Sequence, residues 1–296
     1  MPSRLTALVQ AGVAHPPRWM PNAIQYETMM GSTAYGVSSD ASDIDVYGFC
    51  IPPKELVFPH LAGNIPGFGR QVQPFEQYQQ HHLKHSDGRE YDFQIFGMAK
   101  YFHLAMENNP NIVDSLFTTH TSVLHCTRVG NMVREHRRLF LHRGCYHKFS
   151  GYAASQLHKM ATKTPQPGSK RAADIAEHGF DRKYSYHLVR LLNECEQILS
   201  EGDLDLQRDR EILKAVRRGE WSEERVREYF AAKERHLEEL YRTSPLPYEP
   251  DEERIKALLL QCLEDHFGSL AAVVPVAGRD RQALVDIQRI LDQVGL

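Results

Sequence analysis

Cysteine is scarce in this chain and poorly placed for chemistry. The five cysteines (Cys50, Cys126, Cys145, Cys195, Cys262) are odd in number, widely scattered and never form a Cys-x-x-Cys pair. That argues against a disulfide framework and a structural zinc site, and leaves buried thiols as the expectation. Long apolar runs are missing too. No stretch approaches the roughly 18 residues needed to span a bilayer, and Met1-Pro2-Ser3-Arg4 leads into no apolar signal core, so no membrane partner and a cytoplasmic location are expected. Nor is there a large charge of one sign: −3 over 296 residues gives no overall bias toward an anionic partner. Histidine is plentiful, at 16. Yet the polar stretch around His81-His82 and His85 lacks a matched carboxylate or cysteine at ligand spacing, reads as a loop, and argues against a histidine-based metal hydrolase.

What is present describes an ordinary globular protein, 42% hydrophobic and 25% charged, long enough for two domains with a core each. The charge is unevenly spread. Between Arg128 and Arg190 thirteen Lys or Arg stand against four acids (Glu135, Asp174, Glu177, Asp181), about +9, leaving about −12 on the remainder. A basic middle of this kind is either a solvated helical surface or a face that meets polyphosphate or nucleic acid.

The run Gly31-Ser32-Thr33-Ala34-Tyr35-Gly36, followed by Ser42-Asp43-Ile44-Asp45 and Val46-Tyr47-Gly48-Phe49, carries the strongest signal. Asp-x-Asp or Gly-Ser alone would usually mark a turn. In a strand, however, residues i and i+2 share a face, so Asp43 and Asp45 aim together while Ile44 and Val46 enter the core. Backbone N–H groups and the Ser32 hydroxyl at a helix start can bind a triphosphate, and the two carboxylates can hold the Mg²⁺ that bridges its oxygens. Downstream, Glu90-Tyr91-Asp92-Phe93-Gln94-Ile95-Phe96 alternates as a second strand, with Asp92 on its polar phase. A two-metal transfer needs a third acid on a neighbouring strand. Asp92 is the candidate and Glu90 the runner-up.

Pro52-Pro53 terminates the first of these strands, and residues 54–88, rich in Gly, Pro, Gln and His, read as an ordered loop or lid. Pro110 ends a helix begun at Met98, Asn111 is a plausible N-cap for the next, and Asp114 within it reads as architecture. From Arg128 strands vanish. Segments 131–140, 145–159, 184–199, 208–217, 222–241 and 251–267 read as helices, with loops at 162–170 and around Pro245, Pro247 and Pro250. On the helix following Asp181, Lys183, His187, Arg190 and Glu194 fall in one narrow stripe at about 100° per residue, beside an apolar face of Leu188, Leu191, Leu192, Cys195, Ile198 and Leu199. Cations lined up beside a core fit a cleft, with Lys183 as a point charge for phosphate and Arg190 as a forked partner for phosphate or for Glu194. His187 can be structural.

Gly31-Ser32-x-Ala34-x-Gly36, Ser42-Asp43-x-Asp45-x-x-Gly48, Asn109-Pro110-Asn111 and Lys183-x-x-x-His187-Leu188-x-Arg190-Leu191-Leu192 together resemble the RNA-ligase-associated predicted nucleotidyltransferases of the DNA polymerase beta superfamily. The resemblance spans about residues 25 to 200. It leaves the C-terminal third unmatched and implies a nucleotidyltransferase palm; with the change to helical periods after Arg128, the expected fold is α+β, a mixed sheet with flanking helices over residues 1–127 and then an α-helical domain over 128–296. The resemblance further implies an NTP donor, two Mg²⁺ ions held by Asp43, Asp45 and Asp92, and triphosphate contacts from Gly31, Ser32, Lys183 and Arg190. RNA or tRNA is the partner implied, in end repair or modification. A protein or small-molecule acceptor and a non-catalytic nucleotide-binding module are the alternatives, and oligomeric state is not indicated.

Overall fold

A computed structural model describes residues 2–38, 43–65, 67–69, 71, 73–270, 287 and 289–291, so Ser42 of the acidic motif lies outside the described residues. Among the described residues five strands form one mixed sheet: β1 (Ile24–Met29), β2 (Ile44–Cys50), β3 (Gln77–Lys84), β4 (Glu90–Gly97) and β5 (Val123–Cys126), in the order β3-β4-β2-β1-β5. β2 and β4 run parallel; β1 pairs antiparallel with β2 and β5, and β3 antiparallel with β4. Gly48 explains how closely β1 and β2 approach, because a Cβ there would lie 2.0 Å from the Tyr26 carbonyl oxygen.

Around this sheet lie α1 (Arg4–Gln10), α2 (Gly31–Ala34), α3 (Lys54–Val57), α4 (Met98–Met106) and α5 (Pro110–Phe117). The chain then turns helical through α6 (Arg128–Glu135), α7 (Cys145–Thr162), α8 (Lys170–His178), α9 (Arg182–Glu201), α10 (Arg210–Arg218), α11 (Glu223–Thr243) and α12 (Glu252–Phe267). The architecture is thus α+β, as expected. Leu5 and Leu8 of α1 cover one sheet face by packing with Val46, Phe93 and Ile95. The other face opens into a core that runs without interruption from Tyr26, Phe49 and Tyr101 to Phe140, Phe149, Leu188, Leu192 and Leu213, so the sheet and the helices share one apolar interior.

Several local expectations are corrected. The 54–88 loop contains α3 and β3. β3 was invisible in the sequence because it is an edge strand in which only Leu83 is buried, so it carries no apolar alternation. α8 had no signal either, since none of residues 171–178 is buried and no apolar stripe is needed. Asn109, not Asn111, caps α5: its side chain accepts from the Asn111 and Ile112 N–H groups, and Pro110 takes the first helical position, where a missing N–H costs nothing. The expected 131–140 helix divides into α6 and a 3₁₀ turn at Arg137–Phe140. All five cysteines are free, with Cys126 only partly buried. Among the described residues no helix is long and apolar enough to cross a membrane.

Glu27, on β1, is fully buried and accepts N–H bonds from Arg4 (2.5 Å) and Leu5 (3.1 Å), which anchors the start of α1. Burial raises its pKa to about 7 despite those donors. The folded state therefore holds a proton that the unfolded chain has already released. The stabilisation is present in full below the unfolded pKa near 4.5 and is lost as pH rises through about 7. Over that window the loss is of the order of 3 kcal/mol. Denaturant unfolding from about pH 5 to 8 should show Glu27→Gln gaining on wild type as pH rises; parallel curves would contradict this.

Candidate active site

Gly31 stands where β1 ends and α2 begins, and two constraints demand glycine. Its φ is +60°, and a Cβ would lie 2.1 Å from Asp45 Oδ2. The Met30 N–H donates to the Asp45 carbonyl at 2.7 Å, which clips the turn to β2. Asp43 is exposed just before β2, Ile44 is buried, and Asp45 is half-buried on the strand, as period-two alternation requires. Asp45 and Asp92 are direct partners in the parallel β2–β4 register.

These residues form one wall of a cavity of about 670 Å³, lined by Gly31, Ser32, Tyr35, Asp43, Asp45 and Asp92 on the sheet side. The opposite wall is helical: Asp174 from α8, Arg182, Lys183, Tyr186 and His187 from α9, and Arg217 from α10. Asp181 sets the first turn of α9 by accepting the Tyr184 N–H at 3.1 Å. Arg182 is engaged by Asp174, and Arg217 donates to the Val37 carbonyl at 2.6 Å, while Lys183 stays exposed on the wall.

The two walls differ in charge. Burial raises the Asp45 pKa, and the nearby Asp92 and Asp43 carboxylates raise it further, with Lys183 and His81 opposing them. His187 is pushed down to about 3 by burial and then by the cations Arg190, Lys183 and Arg217. Its imidazole is therefore neutral at physiological pH. A ligand between the walls meets clustered carboxylates on one side and positive potential on the other.

Arg190, expected at the nucleotide, is not part of the cavity wall. It is buried with Asp114 and Glu194: Nη1 lies 2.5 Å from Asp114 Oδ2 and 2.8 Å from Glu194 Oε2. The Tyr35 hydroxyl donates to the same Asp114 oxygen at 2.7 Å, and the guanidinium lies 4.5 Å from the Tyr35 ring centre. Of its two foreseen partners Arg190 takes Glu194, with Asp114 added from α5. Glu90 is also off the wall and meets His82 instead, Oε1 to Nδ1 at 2.5 Å. Tyr35, Asp174, Arg182, Tyr186 and Arg217 were not singled out beforehand. Tyr35 and Arg182 adjoin the motifs, whereas Asp174 and Arg217 arrive through helix packing and leave no trace in spacing.

A guanidinium between two buried carboxylates is costly to remove. Arg190→Ala should destabilise the fold by about 3–5 kcal/mol, while Lys183→Ala, on an exposed side chain, should stay within about 0.5 kcal/mol of wild type. Chemical denaturation of both variants checks the contrast; equal losses would contradict it.

The family model described as RlaP, the RNA repair pathway DNA polymerase beta family, matches residues 8–261. A solved nucleotidyltransferase-like protein from Exiguobacterium sibiricum 255-15 is similar at 13% identity, over 87% of this chain and 71% of that one, with a TM-score of 0.29. No curated protein matches.

Proposed function

The chain belongs to the RNA repair pathway DNA polymerase beta family, and on that premise we propose that it is a Mg²⁺-dependent nucleotidyltransferase. It moves an NMP from an NTP to an acceptor hydroxyl, most readily one on RNA, and releases pyrophosphate. The observation that carries this reading is the single cavity in which Asp43, Asp45 and Asp92 face Lys183 across the Gly31-Ser32 turn.

The donor set fits the metal. Three carboxylates share one wall, the Asp45 pKa is raised by burial and then by its acidic neighbours, and hard oxygen ligands suit Mg²⁺. Asp43, Asp45 and Asp92 would hold the metal, which supplies charge neutralisation and lowers the cost of deprotonating the acceptor hydroxyl. The Gly31-Ser32 backbone and the Ser32 hydroxyl receive the triphosphate, and the close approach at Gly31 keeps that turn against Asp45. Lys183 offsets charge on the phosphates as a point charge. The acceptor oxygen gives up its proton to solvent and attacks the α-phosphorus, the bond to the bridging oxygen breaks, and pyrophosphate carries away the electron pair. No protein nucleophile is required.

RNA as acceptor rests on the family rather than on the basic middle of the chain. Most of those cations are engaged within the fold: Arg128 with Asp265, Arg138 with Asp203, Arg171 with Asp181, Arg182 with Asp174 and Arg190 with Asp114, while Arg134 and Arg143 donate to backbone carbonyls. Lys159, Lys163 and Lys183 are exposed.

Asp43→Ala combined with Asp45→Ala should abolish NMP transfer while the fold stays intact, followed with each labelled NTP and a panel of RNA, protein and small-molecule acceptors. Transfer retained in the double variant would overturn the assignment, and label on a protein or small molecule alone would overturn RNA as acceptor. RNA affinity should also fall as salt rises, with a log–log slope near −0.7 per phosphate contact; a flat profile would contradict binding through phosphates.

A further inference from the structure

His81 and His82 lacked a carboxylate partner in their own stretch of sequence, and the sheet supplies one. β3 lies antiparallel to β4, and the register slips between Gln80 and Leu83, a bulge at the two histidines. His82 sits at φ +58°, a left-handed conformation uncommon in non-glycine residues though better tolerated by asparagine, aspartate and histidine than by others. With this geometry its backbone N–H donates to Asp92 Oδ1 at 2.7 Å and its Nδ1 meets Glu90 Oε1 at 2.5 Å. His81 Nδ1 lies 3.2 Å from Asp92 Oδ2. One ligand atom each from His82, Glu90 and Asp92 falls within 4.8 Å of the others. Donors about 2.0–2.2 Å from a common ion are spaced on that scale.

We propose that His82, Glu90 and Asp92 form a second divalent-metal site, distinct from the Asp43–Asp45 pair, that takes a first-row transition ion such as Zn²⁺, Co²⁺ or Mn²⁺. One imidazole and two carboxylates form a mixed nitrogen–oxygen set, which transition ions favour and Mg²⁺ does not. Three protein ligands leave a coordination position open, and the high exposure of His82 gives the ion a route in. The ion replaces the direct contact between His82 Nδ1 and Glu90 Oε1. The His81 contact to Asp92 Oδ2 helps to fix that carboxylate's orientation. Asp92 belongs to both sites, so an ion bound at His82 and Glu90 sits beside the wall where the nucleotide's metal is proposed.

The site is tested by metal binding alone, on the full-length chain, with Co²⁺ as probe in millimolar Mg²⁺, read by titration calorimetry and visible absorption. Wild type should bind one Co²⁺ that Mg²⁺ does not displace. The Asp43→Ala, Asp45→Ala double variant should keep that ion. His82→Asn, which tolerates a positive φ and preserves the backbone bond to Asp92, should weaken binding at least about tenfold. Glu90→Gln should do the same, with circular dichroism confirming that both variants are folded. Displacement by Mg²⁺, loss of the ion in the Asp43/Asp45 variant, or unchanged affinity in His82→Asn would each overturn the proposal. Because nothing here reads NMP transfer, failure of this site and failure of the transferase reading are separate results.

Discussion

The parallel pairing of β2 with β4 is the constraint on which the site depends. It brings Asp45 and Asp92, 47 positions apart in the chain, into direct register. Period-two alternation then places Asp43 with Asp45, and the Met30–Asp45 backbone bond fixes the Gly31-Ser32 turn against them. A slip of β2 by one residue would turn Asp43 and Asp45 to the opposite face from Asp92 and drive Ile44 and Val46 out of the core. The apolar residues that enforce the register, Val46, Phe93 and Ile95 under α1, thereby also fix the position of the acids.

The helical half is held to this frame by a buried charge cluster. Arg190 of α9 joins Asp114 of α5 and Glu194 of its own helix, and Tyr35, in the turn beside Ser32, donates to Asp114. One guanidinium between two carboxylates leaves a surplus negative charge in the interior. Burial accordingly raises the pKa of both acids, and their mutual repulsion raises that of Glu194 further. Such a cluster contributes little net stability relative to an apolar replacement, but any one member is costly to remove alone. Its placement links α9, which carries Lys183, to the turn that carries Ser32. The two cavity walls are thereby tied to each other by directional contacts as well as by the shared apolar core.

Much of the cavity lining was legible in the sequence because several of its parts are local. The Gly-Ser turn and Asp-x-Asp pair lie on one short segment, Asp92 lies on a strand with clear alternation, and Lys183 lies on a helix with a strong apolar face. What escaped is what only tertiary contact creates. β3 buries only Leu83, so it left no pattern, and with it went the proximity of His81 and His82 to Glu90 and Asp92. α8 buries nothing among residues 171–178, so Asp174 was not anticipated at the cavity. Arg190 shows the reverse limit: helical spacing placed it beside the core and beside Glu194, but could not show Asp114 waiting across the interface.

The central claim is that one cleft holds the metal on the sheet and the triphosphate between sheet and helices. Anomalous diffraction from crystals grown with Mn²⁺ and a non-hydrolysable NTP tests it most directly. The account predicts anomalous density among Asp43, Asp45 and Asp92, with the triphosphate spanning Gly31-Ser32 and Lys183. A nucleotide bound away from this cavity, or Mn²⁺ bound without contact to Asp43 and Asp45, would contradict it.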